Sequence, residues 1–143
     1  MHLGLPTWRA HADTIALLTF LGIHAEPDSP NYEPTLASET RRSLFAWIYN
    51  LDTVTASFTG RPPLLSRCYT STPLPLGFSD DELMDKDAMS RVLEDINANG
   101  WRVQPRLGRH TVTRARATLG QIREEIFGIA LGYGQRASLE NIL

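Results

Sequence analysis

Apolar residues recur at helical spacing in three stretches of the chain, and proline-rich or acidic connectors separate them. The first predicted helix covers about 9–23. Ile15, Leu18 and Gly22 share one face, Leu21 lies close by, and Leu17, Phe20 and His24 sit beside it, so more than half the circumference is apolar. Glu26-Pro27-Asp28-Ser29-Pro30-Asn31 breaks this helix, because two prolines among turn-forming polar residues cannot continue it.

A second helix is predicted over about 36–58, after Pro34, with Thr35 or Ser38 as N-cap. Leu44, Ile48, Leu51, Thr55 and Phe58 follow 4, 3, 4, 3 spacing, and Phe45, Trp47, Tyr49 and Val54 widen that face. A helix this apolar belongs in the middle of a bundle. Asp52 stands within or beside the face, where a carboxylate must be paired or hydrogen-bonded to escape a cost of several kcal/mol. Its candidate partners are Arg61, just past the helix, or arginines from elsewhere. Gly60-Arg61-Pro62-Pro63 stops the helix, since Gly60 can take a left-handed C′ conformation and the prolines forbid continuation.

The stretch 64–77, with Pro73 and Pro75, reads as extended loop. Ser79 is placed to cap a short acidic helix, with Glu82 completing a capping box. Residues 97–105 read as a loop with a turn at Asn99-Gly100 and Trp101 as a buried anchor. The third long helix is predicted from 111 or 113 to 132. Ala115, Leu119, Ile122, Ile126 and Ile129 repeat at 4, 3, 4, 3, a stripe expected to face a core, with Glu124 and Glu125 lying off it. Residues 132–143, opening on two glycines, read as a frayed tail. No repeat, low-complexity block or strand alternation interrupts this pattern. The expectation is an all-α protein: an irregular bundle of three long helices with short helices and Pro-rich loops, one domain over 1–143.

Composition narrows function more than fold. A chain of 143 residues, 42% hydrophobic, can build a core without disulfides or metal. With Cys68 as its single cysteine it holds no internal disulfide, CxxC pair, cysteine-rich zinc finger or iron–sulfur cluster, and a reducing compartment fits best. A net charge of −2 and a pI near 6.1 speak against a generic nucleic-acid or membrane binder. That average hides a division. Residues 80–95 carry seven acids against Lys86 and Arg91, whereas 102–123 carry six arginines and no acid. The two segments are expected to neutralise each other; a phosphate-binding basic face is the alternative. The longest apolar stretch, 15–23, is half of the roughly 20 residues a bilayer requires. Arg9 before it and Ala25 after it suggest a secretory signal, but Asp13 interrupts the charge pattern, Ile23-His24-Ala25 is not a small-x-small site, and no N-x-S/T sequon follows.

Motifs for chemistry are scarce. Gly132-Tyr133-Gly134-Gln135-Arg136-Ala137 matches G-x-G-x-x-A but follows a predicted helix, whereas a dinucleotide site needs a strand before it and a helix after it. No G-x-S-x-G elbow, Walker lysine or H-E-x-x-H is present. His2, His11, His24 and His110 lack metal-ligand spacing and read as surface or helix-end residues. Cys68, beside Arg67, has no histidine nearby in sequence and reads as a buried or inert thiol. Asp80-Asp81-Glu82 is explained by the helix macrodipole without a cation. An enzyme is therefore not expected.

The second helix and its exit carry a resemblance. Glu39-Thr40-Arg41-Arg42-Ser43-Leu44-Phe45-Ala46-Trp47-Ile48-Tyr49-Asn50-Leu51-Asp52, then Gly60-Arg61-Pro62-Pro63, then Thr72-Pro73-Leu74-Pro75, resembles the signature of the fungal-specific transcription factor domain, the middle homology region of fungal zinc-cluster regulators. Leu21-Gly22-Ile23-His24, Asn99-Gly100-Trp101 and Gln121-Ile122-Arg123-Glu124-Glu125-Ile126 are similar to it as well. Arg41, Arg42, Asp52, Gly60, Arg61 and Pro62 occupy the signature positions, where a structural role is expected. Asp52 should fix an arginine of the set, with Arg61 reaching back over the helix end. On that reading Asp52→Ala costs on the order of 3–5 kcal/mol by stranding a buried guanidinium.

The resemblance implies an all-helical regulatory, effector-responsive domain of a nuclear transcription factor, C-terminal to a Zn₂Cys₆ DNA-binding cluster, and not an enzyme. That cluster needs six cysteines where this sequence has one, so sequence-specific DNA binding by this chain alone, and zinc within it, are not expected. The family's helical domain is longer, so a portion of a larger domain is expected here. The expected partners are other proteins or a second copy, with a small-molecule effector, and no membrane. Helix faces shaped for missing neighbours would promote self-association or poor solubility. A stand-alone helical interaction module that competes with full-length relatives is the alternative.

Overall fold

The structure, a computed structural model, describes residues 4–27, 32–104 and 108–132. It contains α1 (Leu5–Phe20), α2 (Leu36–Thr59), α3 (Asp80–Met84), α4 (Lys86–Asp95) and α5 (Arg109–Leu131), with a 3₁₀ turn at Arg67–Tyr69. No strand occurs among the described residues, and an isolated bridge between Ile96 and Arg102 closes the turn at Asn99-Gly100. The chain is all-α, as its periodicity predicts.

Local chemistry accounts for the helix ends. Thr35 caps α2: its hydroxyl accepts from the Ser38 amide at 3.1 Å, and Ser38 Oγ accepts from the Thr35 amide at 2.9 Å, so each satisfies a donor the helix leaves orphaned. Gly60 closes α2 in the left-handed conformation, φ 65°, as expected. Ser79 and Glu82 form the predicted box at α3, their bonds 3.3 and 2.8 Å long. The first helix lies earlier than predicted. Pro6 sits in its first turn, where a missing N–H costs nothing. Gly22, at φ 67°, ends it with its amide on Thr19 O and that of Ile23 on Leu18 O, before the prolines are reached.

Helix α2 is the axis. Its core comprises Phe45, Ala46, Ile48 and Tyr49, against Ile15 and Leu18 of α1, Leu65 of the following loop and Ala117 of α5. This is not the stripe the apolar spacing selects. Leu44, Leu51 and Phe58 are exposed, whereas Tyr49, Asp52, Thr53 and Ala56 are buried with Phe45 and Ile48, so the buried face is rotated by about one residue. The polar members enter the core because each finds a hydrogen bond.

The correction is larger at α5. Leu119, Ile122, Ile126 and Ile129 point outward, each about half exposed, while Arg114, Ala117 and Gly120 are buried. Close approach of α2 is the physical reason. A Cβ on Gly120 would stand 3.0 Å from Thr53 Oγ1 and 3.1 Å from Tyr49 Cε1, so only the small-residue side of α5 fits against α2. The Gly132–Ala137 motif beyond Gly132 and the predicted frayed tail lie outside the described residues.

Candidate functional site

Polar side chains of α2 and α5 hold the surrounding segments in place. At the start of α2, Arg41 Nη2 donates to the carbonyls of Gly22 and Ala25, the latter at 2.9 Å, and so clamps the turn after α1. Arg42 Nε donates to both oxygens of Glu26 at 3.1 and 3.0 Å, and its Nη2 donates to Oε1. The Arg42 guanidinium lies 3.5 Å over the Tyr32 ring and 3.7 Å from Glu39 Oε1. Glu39 accepts the Tyr32 hydroxyl at 2.9 Å and the Leu76 amide at 2.8 Å. Burial opposes the charge on Arg42, but the hydrogen bonds to Glu26 together with the charges of Tyr32, Glu26 and Glu39 outweigh it and the pKa is raised. Burial and then the Glu39 charge push the Tyr32 hydroxyl up to about 12.

Midway along α2, Asp52 Oδ1 lies 2.8 Å from His11 Nε2 of α1, and Oδ2 accepts the Leu65 amide at 2.8 Å. The partner is thus a histidine and a loop amide, not an arginine. Arg61 is exposed, its guanidinium 5.1 Å over the Trp8 ring, and does not reach Asp52. His11 differs from its expected surface role, with a side chain only 8% exposed. Gly60 turns the chain, and Pro62 lines the cleft described below.

On the α5 side, Glu124 accepts the Tyr49 hydroxyl at 2.6 Å, and its other oxygen accepts the Ser66 hydroxyl and the Arg67 amide, both at 2.9 Å. Burial and this carboxylate raise the Tyr49 pKa. Buried Arg114 donates to Pro75 O at 2.7 Å, Leu74 O at 3.4 Å and Asn99 O at 2.6 Å, and lies 5.1 Å over Trp101, which is half-buried. Burial lowers the pKa of Arg114.

Apolar periodicity passes over Glu26, His11, Arg114 and Glu124, because it scores polar residues as outward. A second spacing does mark α5: Arg114, Ala117, Gly120 and Glu124 repeat at 3, 3, 4, a small-residue line with a charged group at each end. The acidic and basic segments meet only in part. Arg102 pairs with Glu82 at 2.6 and 3.0 Å, whereas Arg114 goes to carbonyls and Arg123 to Asn50.

Two further features bear on function. A cleft of about 680 Å³ opens between the loop from Pro62 to Cys68 and the C-terminal half of α5, with Phe127, Gly128 and Leu131 on its apolar side. Arg67 and Glu125 face each other there at 3.5 Å, and Cys68 is exposed rather than buried. Among the described residues no group of three or more His, Cys, Asp or Glu is placed to hold a metal.

These contacts define a helical scaffold in which ion pairs and carbonyl clamps bind loops to a central helix. Residues 6–115, well over half of the chain, match the sequence profile of the fungal specific transcription factor domain, and the chain belongs to that family. It is a transcription factor family and not an enzyme family. No curated protein and no solved structure matches the chain. Among the described residues no helix is long and apolar enough to cross a membrane.

Proposed function

We propose that this chain is an effector-responsive regulatory domain that acts in the nucleus through protein contacts and does not itself read DNA. The observation that carries this reading is the double-faced α5. Its small and polar side is spent on α2, and its apolar side, from Leu119 to Ile129, is left for another surface. Cys68 alone cannot supply a zinc cluster. The cleft beside Glu124 is where we place a small effector, since it joins an apolar wall to a few oriented polar groups.

Tethering tests the reading. The chain fused to an unrelated DNA-binding module is expected to change a reporter several-fold, and Leu119→Ser with Ile126→Ser is expected to remove that change at equal protein level. A reporter indifferent to the fused chain overturns the proposal, as does a salt-resistant, sequence-selective gel shift by the purified chain.

A further inference from the structure

Arg123 Nη1 donates to Asn50 Oδ1 at 3.3 Å. Trp47 and Val54 stand three residues before and four after Asn50; Leu119 and Ile126 stand four before and three after Arg123. Side chains at those spacings are neighbours on a helix surface, so this bond sets the outward stripes of α2 and α5 side by side. Trp47, Leu119 and Ile126 stand exposed beside this bond, and Leu51, Phe58 and Ile122 are exposed further round the same two helices. Their exposed area is on the order of several hundred Å², the size that marks an interaction surface on a soluble protein. Arg116, three and four residues from Leu119 and Val112 and seven before Arg123, adds a second guanidinium to the same line. The acid on α2 nearest in sequence, Asp52, is buried on the opposite side against His11.

We propose that this face is the docking site of an amphipathic helix that carries carboxylates beside its apolar stripe, a step that names the partner of the regulatory surface proposed above and rests on that reading. Two features select this occupant. Along α5, Val112, Ala115, Leu119, Ile122, Ile126 and Ile129 repeat at 3, 4, 3, 4, 3, the seam against which a second helix packs its own apolar residues. The charges on the α2 flank of that seam are Arg116 and Arg123, and a guanidinium in an apolar setting is best satisfied by a carboxylate. A second copy of this chain fits less well. An isologous contact brings the patch against itself, so a second copy would have to answer Arg116 and Arg123 from this same face, where the nearest acid of α2, Asp52, is buried against His11.

The test uses two synthetic 21-residue helical peptides with leucine and isoleucine at the seam positions, one with glutamates flanking the seam and one with lysines, titrated with the whole 143-residue chain and read by fluorescence anisotropy. The glutamate peptide is expected to bind about tenfold more tightly than the lysine peptide, and Arg116→Glu with Arg123→Glu is expected to reverse that order. Both arginines lie at the surface margin, and circular dichroism verifies that the double variant keeps its helices. Equal affinity for the two peptides, or binding of neither, overturns the proposal. Self-pairing in light scattering that Leu119→Glu abolishes also overturns it, by giving the face to a second copy. A reporter that still responds while the peptides fail to discriminate leaves the regulatory reading standing and removes only the occupant assigned here.

Discussion

Asp52 shows how one residue decides between two descriptions of the same helix. The sequence requires that a carboxylate at this point of α2 be satisfied, and it is, by His11 and the amide of Leu65. The arginine expected as partner is absent because the loop after Gly60 turns Arg61 outward over Trp8. Asp52→Ala removes both bonds and leaves a buried amide unpaired, at an expected cost of about 2–4 kcal/mol. Asp52→Asn keeps an acceptor for Leu65 and a polar partner for His11, and is expected to cost less than half as much. Urea denaturation of the two variants checks this; equal losses would mean that the charge, rather than the hydrogen bonds, carries the effect.

Glu82 contributes in a direction fixed by its environment. The Arg102 guanidinium, against a smaller opposing effect of burial, holds its carboxyl down at about 2, below the ordinary 4.5. A depressed folded pKa gives stability that is fully present above pH 4.5 and fades as pH falls toward 2. Arg102→Ala is therefore expected to lower the urea midpoint clearly at pH 7 and much less at pH 3. A gap between wild type and variant that is as wide at pH 3 as at pH 7 would contradict this pairing.

At the scale of elements, the two glycines within α5 separate packing from propensity. Gly120 sits where a Cβ would press on Thr53 and Tyr49, while Gly128 has no atom within 4 Å of an added Cβ. Gly120→Leu is expected to force α5 from α2 and cost about 3 kcal/mol or more. Gly128→Ala is expected to gain roughly 0.5–1 kcal/mol from helix propensity. Thermal melts of both variants read these opposite signs. The three long helices and the short helix at Ser79 were legible, because caps at Thr35, Ser79 and Gly60 are local chemistry, whereas the break at Asp85 that makes α4 a separate helix was not. The orientation of α5 was not. Hydropathy assigns the apolar stripe to the core, and nothing local reports that Tyr49 and Thr53 leave room only for Ala117 and Gly120, or that Glu124 is satisfied by three donors from two other segments.

At the scale of the molecule, four residues of α2 and its exit act as fasteners. Arg41 and Arg42 bind the turn after α1, Asp52 binds α1 and the loop after α2, and Gly60 sets where that loop begins. Fastening the loops through polar contacts leaves apolar side chains of α2 and α5 on the outside, and the proposed regulatory contacts use that surface. The account therefore turns on which side of α5 faces water. Thiol labelling of single-cysteine variants, with Cys68 replaced by serine because it is itself exposed, measures this directly. Leu119→Cys and Ile126→Cys are predicted to react at rates close to that of an unfolded control, and Ala117→Cys to be strongly protected. Protection at 119 and 126 with fast labelling at 117 would mean that the apolar stripe is the core and would contradict the account.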